Sequence, residues 1–219
     1  QMCIRDRGRF PVILGGDHSI AAGSIAAVSK RHSGNIGVIW IDAHGDWNSE
    51  ESTCTGNMHG MPFSAVCGYG PDCMVEFGQG AAPVNVAHCV QVGGRDIDDL
   101  ERQRMAQAGV TVFPINMIDK LGMGAVIERA IQIAGEGTDG IHLSFDVDAI
   151  TPEAVPGTGV IVYNGLTPRE AFLAAEAIAE SRKLISMDMV EVNPFLDTAN
   201  KSGILASELI QSALGKSVY

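Results

Sequence analysis

Apolar positions along this chain fall into two rhythms. Short, nearly unbroken apolar runs at residues 12–14, 36–41, 86–92, 110–113, 141–145 and 184–190 read as strands. The run at 36–41 is apolar at almost every position, as expected of a strand covered on both faces. Between the runs the spacing turns helical. Residues 19–30 predict an alanine-rich helix with Ser19 as N-cap. Residues 98–108 predict a helix with Leu100 and Met105 facing inward, and 123–134 one with Val126, Ile127 and Ala130 on one face. A short helix is expected at 62–68. Thr167-Pro168-Arg169-Glu170 is a capping box with proline at the first helical position. Residues 208–214 belong to a last helix stopped by Gly215.

This alternation predicts an α/β fold, a three-layer αβα sandwich with a mainly parallel sheet. Residues 47–60 and 151–165 are polar or Pro/Gly-rich loops, and no repeat or low-complexity tract interrupts the pattern. The opening QMCIRDRGR is polar and unlike the rest of the chain, so residues 1–9 are expected to be a foreign or disordered leader before one domain at 10–219.

Three apolar runs end in the same residue types. Gly15-Gly16-Asp17-His18 follows the first. Asp42, His44 and Asp46 follow the second at every other position, and Asp146 and Asp148 close the fifth. In an extended chain such spacing puts side chains on one face. One triplet alone reads equally as a solvated turn, but three strand ends of the same kind weaken that reading. Ligands in parallel α/β sheets sit beyond the carboxyl ends of the strands, where His18, Asp42, Asp146 and Glu191 all fall.

Four carboxylates and two imidazoles are too many for one ion, and two dications balance the four negative charges. The oxygen-rich donor set without thiolate favours manganese over zinc. Paired dications acidify a shared water, so the expected chemistry is metal-assisted hydrolysis.

Composition narrows the partners. A formal net charge of −11 lacks the basic footprint of a nucleic-acid binder and suits a cationic ligand. No apolar run reaches membrane-spanning length. Five cysteines, odd in number and without a CxxC pair, read as free thiols of a reducing, cytoplasmic compartment.

These motifs in this order resemble the ureohydrolase family, on its arginase branch. The resemblance runs from about Phe10 to the end of the chain. It takes in Gly15-Gly16-Asp17-His18, Asp42-Ala43-His44-Gly45-Asp46, Ser144-Phe145-Asp146-Val147-Asp148 and Glu191-Val192-Asn193-Pro194. It implies a domain lacking its N-terminal portion, and two Mn2+ held by His18, Asp42, His44, Asp46, Asp146 and Asp148. It implies a metal-bridging hydroxide that splits the guanidinium of L-arginine into L-ornithine and urea, with Asp46 assisting catalysis. His59 matches the family's proton-shuttle histidine and Glu191 the acid that holds the guanidinium. Asn48, Thr55 and Asn57 match positions that bind the amino-acid carboxylate, and Asp98 the carboxylate near the α-amino group. A trimer or hexamer is implied as well. Each role suits its residue type. A guanidinium pairs with an acid, neutral loop donors suit a carboxylate, and histidine titrates near neutrality.

The sequence departs from the family at Val160, where a threonine usually lines the guanidinium pocket, and at the turn 161–164. Trp47 is bulky enough to narrow the pocket. His32, His88 and His142 read as structural or solvated. Three other readings compete: a sister hydrolase of agmatine or another guanidino compound, a non-catalytic metal-binding regulator, and a fragment that folds poorly for want of edge strands.

Overall fold

The computed structural model describes residues 9–76 and 80–216. All but Arg9 of the expected leader therefore lies outside the described residues. Among these, six strands form one parallel sheet: β1 (Val12–Leu14), β2 (Gly37–Ile41), β3 (Cys89–Val92), β4 (Thr111–Phe113), β5 (Ile141–Asp146) and β6 (Leu184–Val190), in the order β1-β6-β5-β2-β3-β4. Between and after them run α1 (Ile20–Arg31), α2 (Pro62–Val66), α3 (Asp72–Val75), α4 (Asp99–Ala108), α5 (Ile115–Leu121), α6 (Met123–Gly135), α7 (Pro168–Glu180) and α8 (Lys201–Ala213). No helix is long and apolar enough to cross a membrane among the described residues.

The pleat of β2 explains the layers. Ile39 and Ile41 point into a core with α6, α7 and α8, while Val38 and Trp40 point to the other face, into a core with α1, α2 and α4. Both faces are covered, hence the unbroken apolar run. Gly37 is required by packing: a Cβ at this position would overlap the Ala134 carbonyl of α6. The αβα sandwich is therefore as the sequence predicts.

Several local expectations change. Ser19 does not cap α1. It is itself helical (φ −56°, ψ −22°), and Asp17 Oδ1 accepts its N–H at 2.9 Å, closing an Asx turn one step earlier. On α4 the inward pair is Glu101 and Met105, spaced i, i+4, while Leu100 is 55% exposed. The run at 86–92 begins as a one-turn 3-10 helix (Val86–His88) that Asn85 caps. Helix α5 is missed because it is only seven residues long, and α8 starts well before 208. The capping box at Thr167 is present with both hydrogen bonds.

Candidate active site

Four adjacent strands deliver the predicted residues to one place. His18 follows β1, Glu191 follows β6, Asp146 ends β5 with Asp148 just beyond, and Asp42, His44 and Asp46 follow β2. The side chains converge, but not by strand alternation. Regular pairing stops at Ile41 and Asp146. Asp42 Oδ1 then accepts the His44 N–H at 2.7 Å, and Asp146 Oδ1 accepts the Asp148 N–H at 2.8 Å. Two Asx turns fold each pair back, where an extended chain would keep such same-face neighbours about 6–7 Å apart. Asp46 and Glu191 complete the site with left-handed backbones, φ 49° and 62°. That conformation costs a non-glycine residue about 1–2 kcal/mol.

Three imidazole–carboxylate groups form: His18 with Asp42 and Asp146, His44 with Asp42 and Asp148, and, nearer the surface, His59 with Asp17 and Glu191. Asp42 belongs to the first two. Nδ1 of His18 lies 3.1 Å from Oδ2 of each of Asp42, Asp46 and Asp146. Yet this buried nitrogen has no aligned hydrogen-bond partner. Three carboxylate oxygens thus surround a buried nitrogen that bonds to none of them, an arrangement that suits a cation between them. Nδ1 of His44 lies 3.1 Å from Oδ2 of Asp148 and 3.2 Å from Oδ1 of Asp42.

The electrostatics tell the same story. Burial pushes the Asp46 carboxyl well above its usual range, helped by the nearby Asp42 charge. Burial does the same to Asp146, helped by Asp148 and Asp42. Asp148 is raised by burial and then by Asp42. Burial also opposes ionisation of Asp42, but hydrogen bonds and charge from His18 and His44 overcome it and hold its carboxyl far below the usual range. Burial pulls His44 down, and its bonds to Asp148 and Asp42 outweigh this and push it up to about 12. Protons on the two imidazoles thus act as the local countercharge. A buried cluster of four acids is costly with protons alone, and the donor set fits divalent cations.

Aromatic packing fixes the positions of His18 and Asp42. Trp40 stacks on the His18 ring at 4.2 Å and on Phe63 at 4.6 Å, and its Nε1 donates to Asp42 Oδ2 at 2.9 Å. Trp47 does not narrow the pocket. It is fully buried, edge-on to Phe63 at 5.0 Å and close to Tyr69.

The clusters face a cavity of about 260 Å³. His59 and Glu191 line it, as do Asn48, Thr55, Asn57, Asp98 and Val160, so every predicted substrate-side residue reaches it. Asn48 is buried and fixed: its N–H donates to Gly60 O at 3.0 Å, and its Oδ1 accepts from Ser52 at 2.8 Å. Thr55 and Asn57 are exposed at the tip of the same loop. Glu191 Oε1 accepts the His18 N–H at 2.7 Å, and burial raises its carboxyl pKa.

Some residues at the site are not flagged by the sequence reading. Cys54 and Thr53 line the cavity. Glu101, 3% exposed, accepts the Trp47 N–H at 2.8 Å and the Asp98 N–H at 3.2 Å. Its carboxyl packs where Gly45 has no side chain, and burial pushes its pKa up to about 7. Arg95 donates to the carbonyls of Asp148, Ala149, Val162 and Tyr163, tying the Asp148 turn to the 161–164 turn. The available signal for Glu101 was its i, i+4 spacing to Met105, which makes it an inward position on α4.

Comparison with known proteins agrees with the geometry. The Arginase family profile matches residues 2–215. An arginase of Bacillus caldovelox is 43% identical over 210 residues, covering 96% of this chain and 70% of that protein. An arginase of Staphylococcus aureus strain COL is 44% identical over 215 residues, covering 97% of this chain and 70% of that protein. The crystal structure of native Bacillus caldovelox arginase at pH 5.6 superposes with a TM-score of 0.96 at 41% identity, covering 99% of this chain and 72% of that one.

Proposed function

This chain belongs to the arginase family and is a ureohydrolase of arginase type, and from that premise we propose that it hydrolyses L-arginine to L-ornithine and urea with two Mn2+ in its site. The observation that carries the reading is the pair of imidazole–carboxylate clusters sharing Asp42 and facing one cavity. His18, Asp42, Asp46 and Asp146 would hold one ion, and Asp42, His44 and Asp148 the other. When bound, paired dications lower the pKa of a shared water enough to make a nucleophile near neutral pH.

The rest of the work belongs to the protein's own side chains. Glu191, half-buried at the cavity wall, offers a carboxylate to the guanidinium, and a two-point pairing orients it. Asn48, Thr55 and Asn57 offer neutral donors to the carboxylate at the other end of the substrate. Asp98 offers a negative charge to the α-amino group. His59, at the cavity edge and partly exposed, moves a proton between the reacting centre and solvent. Val160 replaces a hydrogen-bonding side chain with an apolar contact on the guanidinium side, which lowers turnover without altering the far end.

Arginine and agmatine differ by one carboxylate, so the far end decides between them. A site built to bond a group rejects the analogue that lacks it. In manganese-loaded enzyme, kcat/KM for arginine should exceed that for agmatine by about 10²–10⁴-fold, less than the ceiling because an open loop admits water. Equal rates, or faster urea release from agmatine, would replace the arginine reading with an agmatine one.

A further inference from the structure

Beneath the His18 ring lies a chain of buried polar groups that the proposed reaction does not use. His18 Nε2 is 2.8 Å from Ser144 Oγ. Ser144 donates to Asp188 Oδ1 at 2.6 Å. The other oxygen of Asp188, Oδ2, is 2.6 Å from Ser24 Oγ on α1 and 2.9 Å from His142 Nε2. His142 Nδ1 in turn meets Ser186 Oγ at 2.7 Å. His142, Ser144, Ser186 and Asp188 are all fully buried. Ser144 and Asp188 are register partners across β5 and β6, as are His142 and Ser186.

The direction of each hydrogen bond follows from the chemistry. Burial pushes the Asp188 carboxyl up, but the charge and hydrogen bond of His142, then the charge of His18 and the hydrogen bond of Ser144, outweigh it and hold the pKa below the usual range. An ionised carboxylate only accepts. A serine hydroxyl has one proton, and Ser144 must spend it on Asp188. Its oxygen then has only lone pairs to offer His18, so His18 must present Nε2–H. Nδ1, the nitrogen that faces Asp42, Asp46 and Asp146, is then the position that gives up its proton when a metal ion binds.

We propose that Asp188, acting through Ser144, is a positioning residue that keeps the ring proton of His18 on Nε2 and thereby reserves Nδ1 for a metal ion. The inference rests on the reading of His18 as a metal ligand. It assigns a role to residues that touch neither ion nor substrate. Partners of this kind typically change metal affinity about 10–100-fold when removed.

Asp188→Asn is the informative change. Its amide can donate to Ser144, which turns the serine proton towards His18 Nε2 and forces the ring proton onto Nδ1. Ser144→Ala removes the bridge in a smaller step that fits the same space. Two measurements are needed. Histidine-selective 15N NMR of the metal-free protein should show a slowly exchanging His18 Nε2–H that is lost in Ser144→Ala. Manganese titration, reading free Mn2+ by electron paramagnetic resonance, should show one of two ions weakened about 10–100-fold in both variants and the other unchanged. Equal weakening of both ions, or of neither, would overturn the proposal. So would a wild-type His18 without the Nε2 proton. A wild-type protein that binds fewer than two ions would instead remove the two-metal reading, and the NMR result would still decide the hydrogen-bond direction.

Discussion

Nδ1 of His59 stands 4.0 Å from Oε1 of Glu191 and 3.8 Å from Oδ2 of Asp17. The proposed shuttle and the proposed guanidinium acid are thus neighbours at the cavity wall, just beyond hydrogen-bond contact. His59→Asn keeps the side chain polar and removes the titratable ring. It should lower kcat by about 10²–10⁴-fold, the scale of general acid–base groups, with manganese content unchanged. Full activity in that variant would reduce His59 to a loop residue.

Asp148 belongs to the His44 cluster and not to the His18 cluster. Asp148→Ala should therefore bring bound manganese from about two ions towards about one per chain. Elemental analysis after reconstitution and desalting reads this directly, and an unchanged count would sink the two-ion assignment. Because His44 is held near 12 without metal, loading must expel its ring proton. Adding Mn2+ to weakly buffered protein should acidify the solution, and affinity should rise with pH.

Glu101 carries its own pH signature in metal-free protein. Burial raises its pKa from 4.5 to about 7. The folded state then holds a proton that the unfolded state has lost, so stability is greatest below the unfolded pKa and declines as pH rises from 4.5 to about 7. At about 1.4 kcal/mol per unit, the decline is of order 3 kcal/mol. Glu101→Gln still accepts the Trp47 N–H and does not titrate. Its urea-unfolding midpoint should be flatter across that window than the wild-type midpoint, and identical profiles would assign the slope to another group.

Much of this fold could be read in advance because β2, β5 and β6 are buried on both faces and announce themselves as apolar runs. The six donor residues were legible by type and spacing. Their geometry was not: Asp42 and His44 meet through a turn, which period-two reasoning cannot see. Trp47 was misread because its size is visible in sequence but its direction is not, and it points into the α2 side of the core. The Asp188 network left only the faint signature of His142, Ser144 and Asp146 alternating with Ile141, Leu143 and Phe145. In a strand covered on both faces, that period marks a polar seam.

Asp46 and Glu191 hold left-handed backbones that glycine or asparagine would adopt with less strain. Selection on folding alone and selection on chemistry therefore pull these two positions in opposite directions. A variant library screened only for heat resistance should accumulate Gly or Asn at 46 and 191, gaining up to about 1–2 kcal/mol at each. A library screened for urea release should keep the acids and recover lost stability elsewhere.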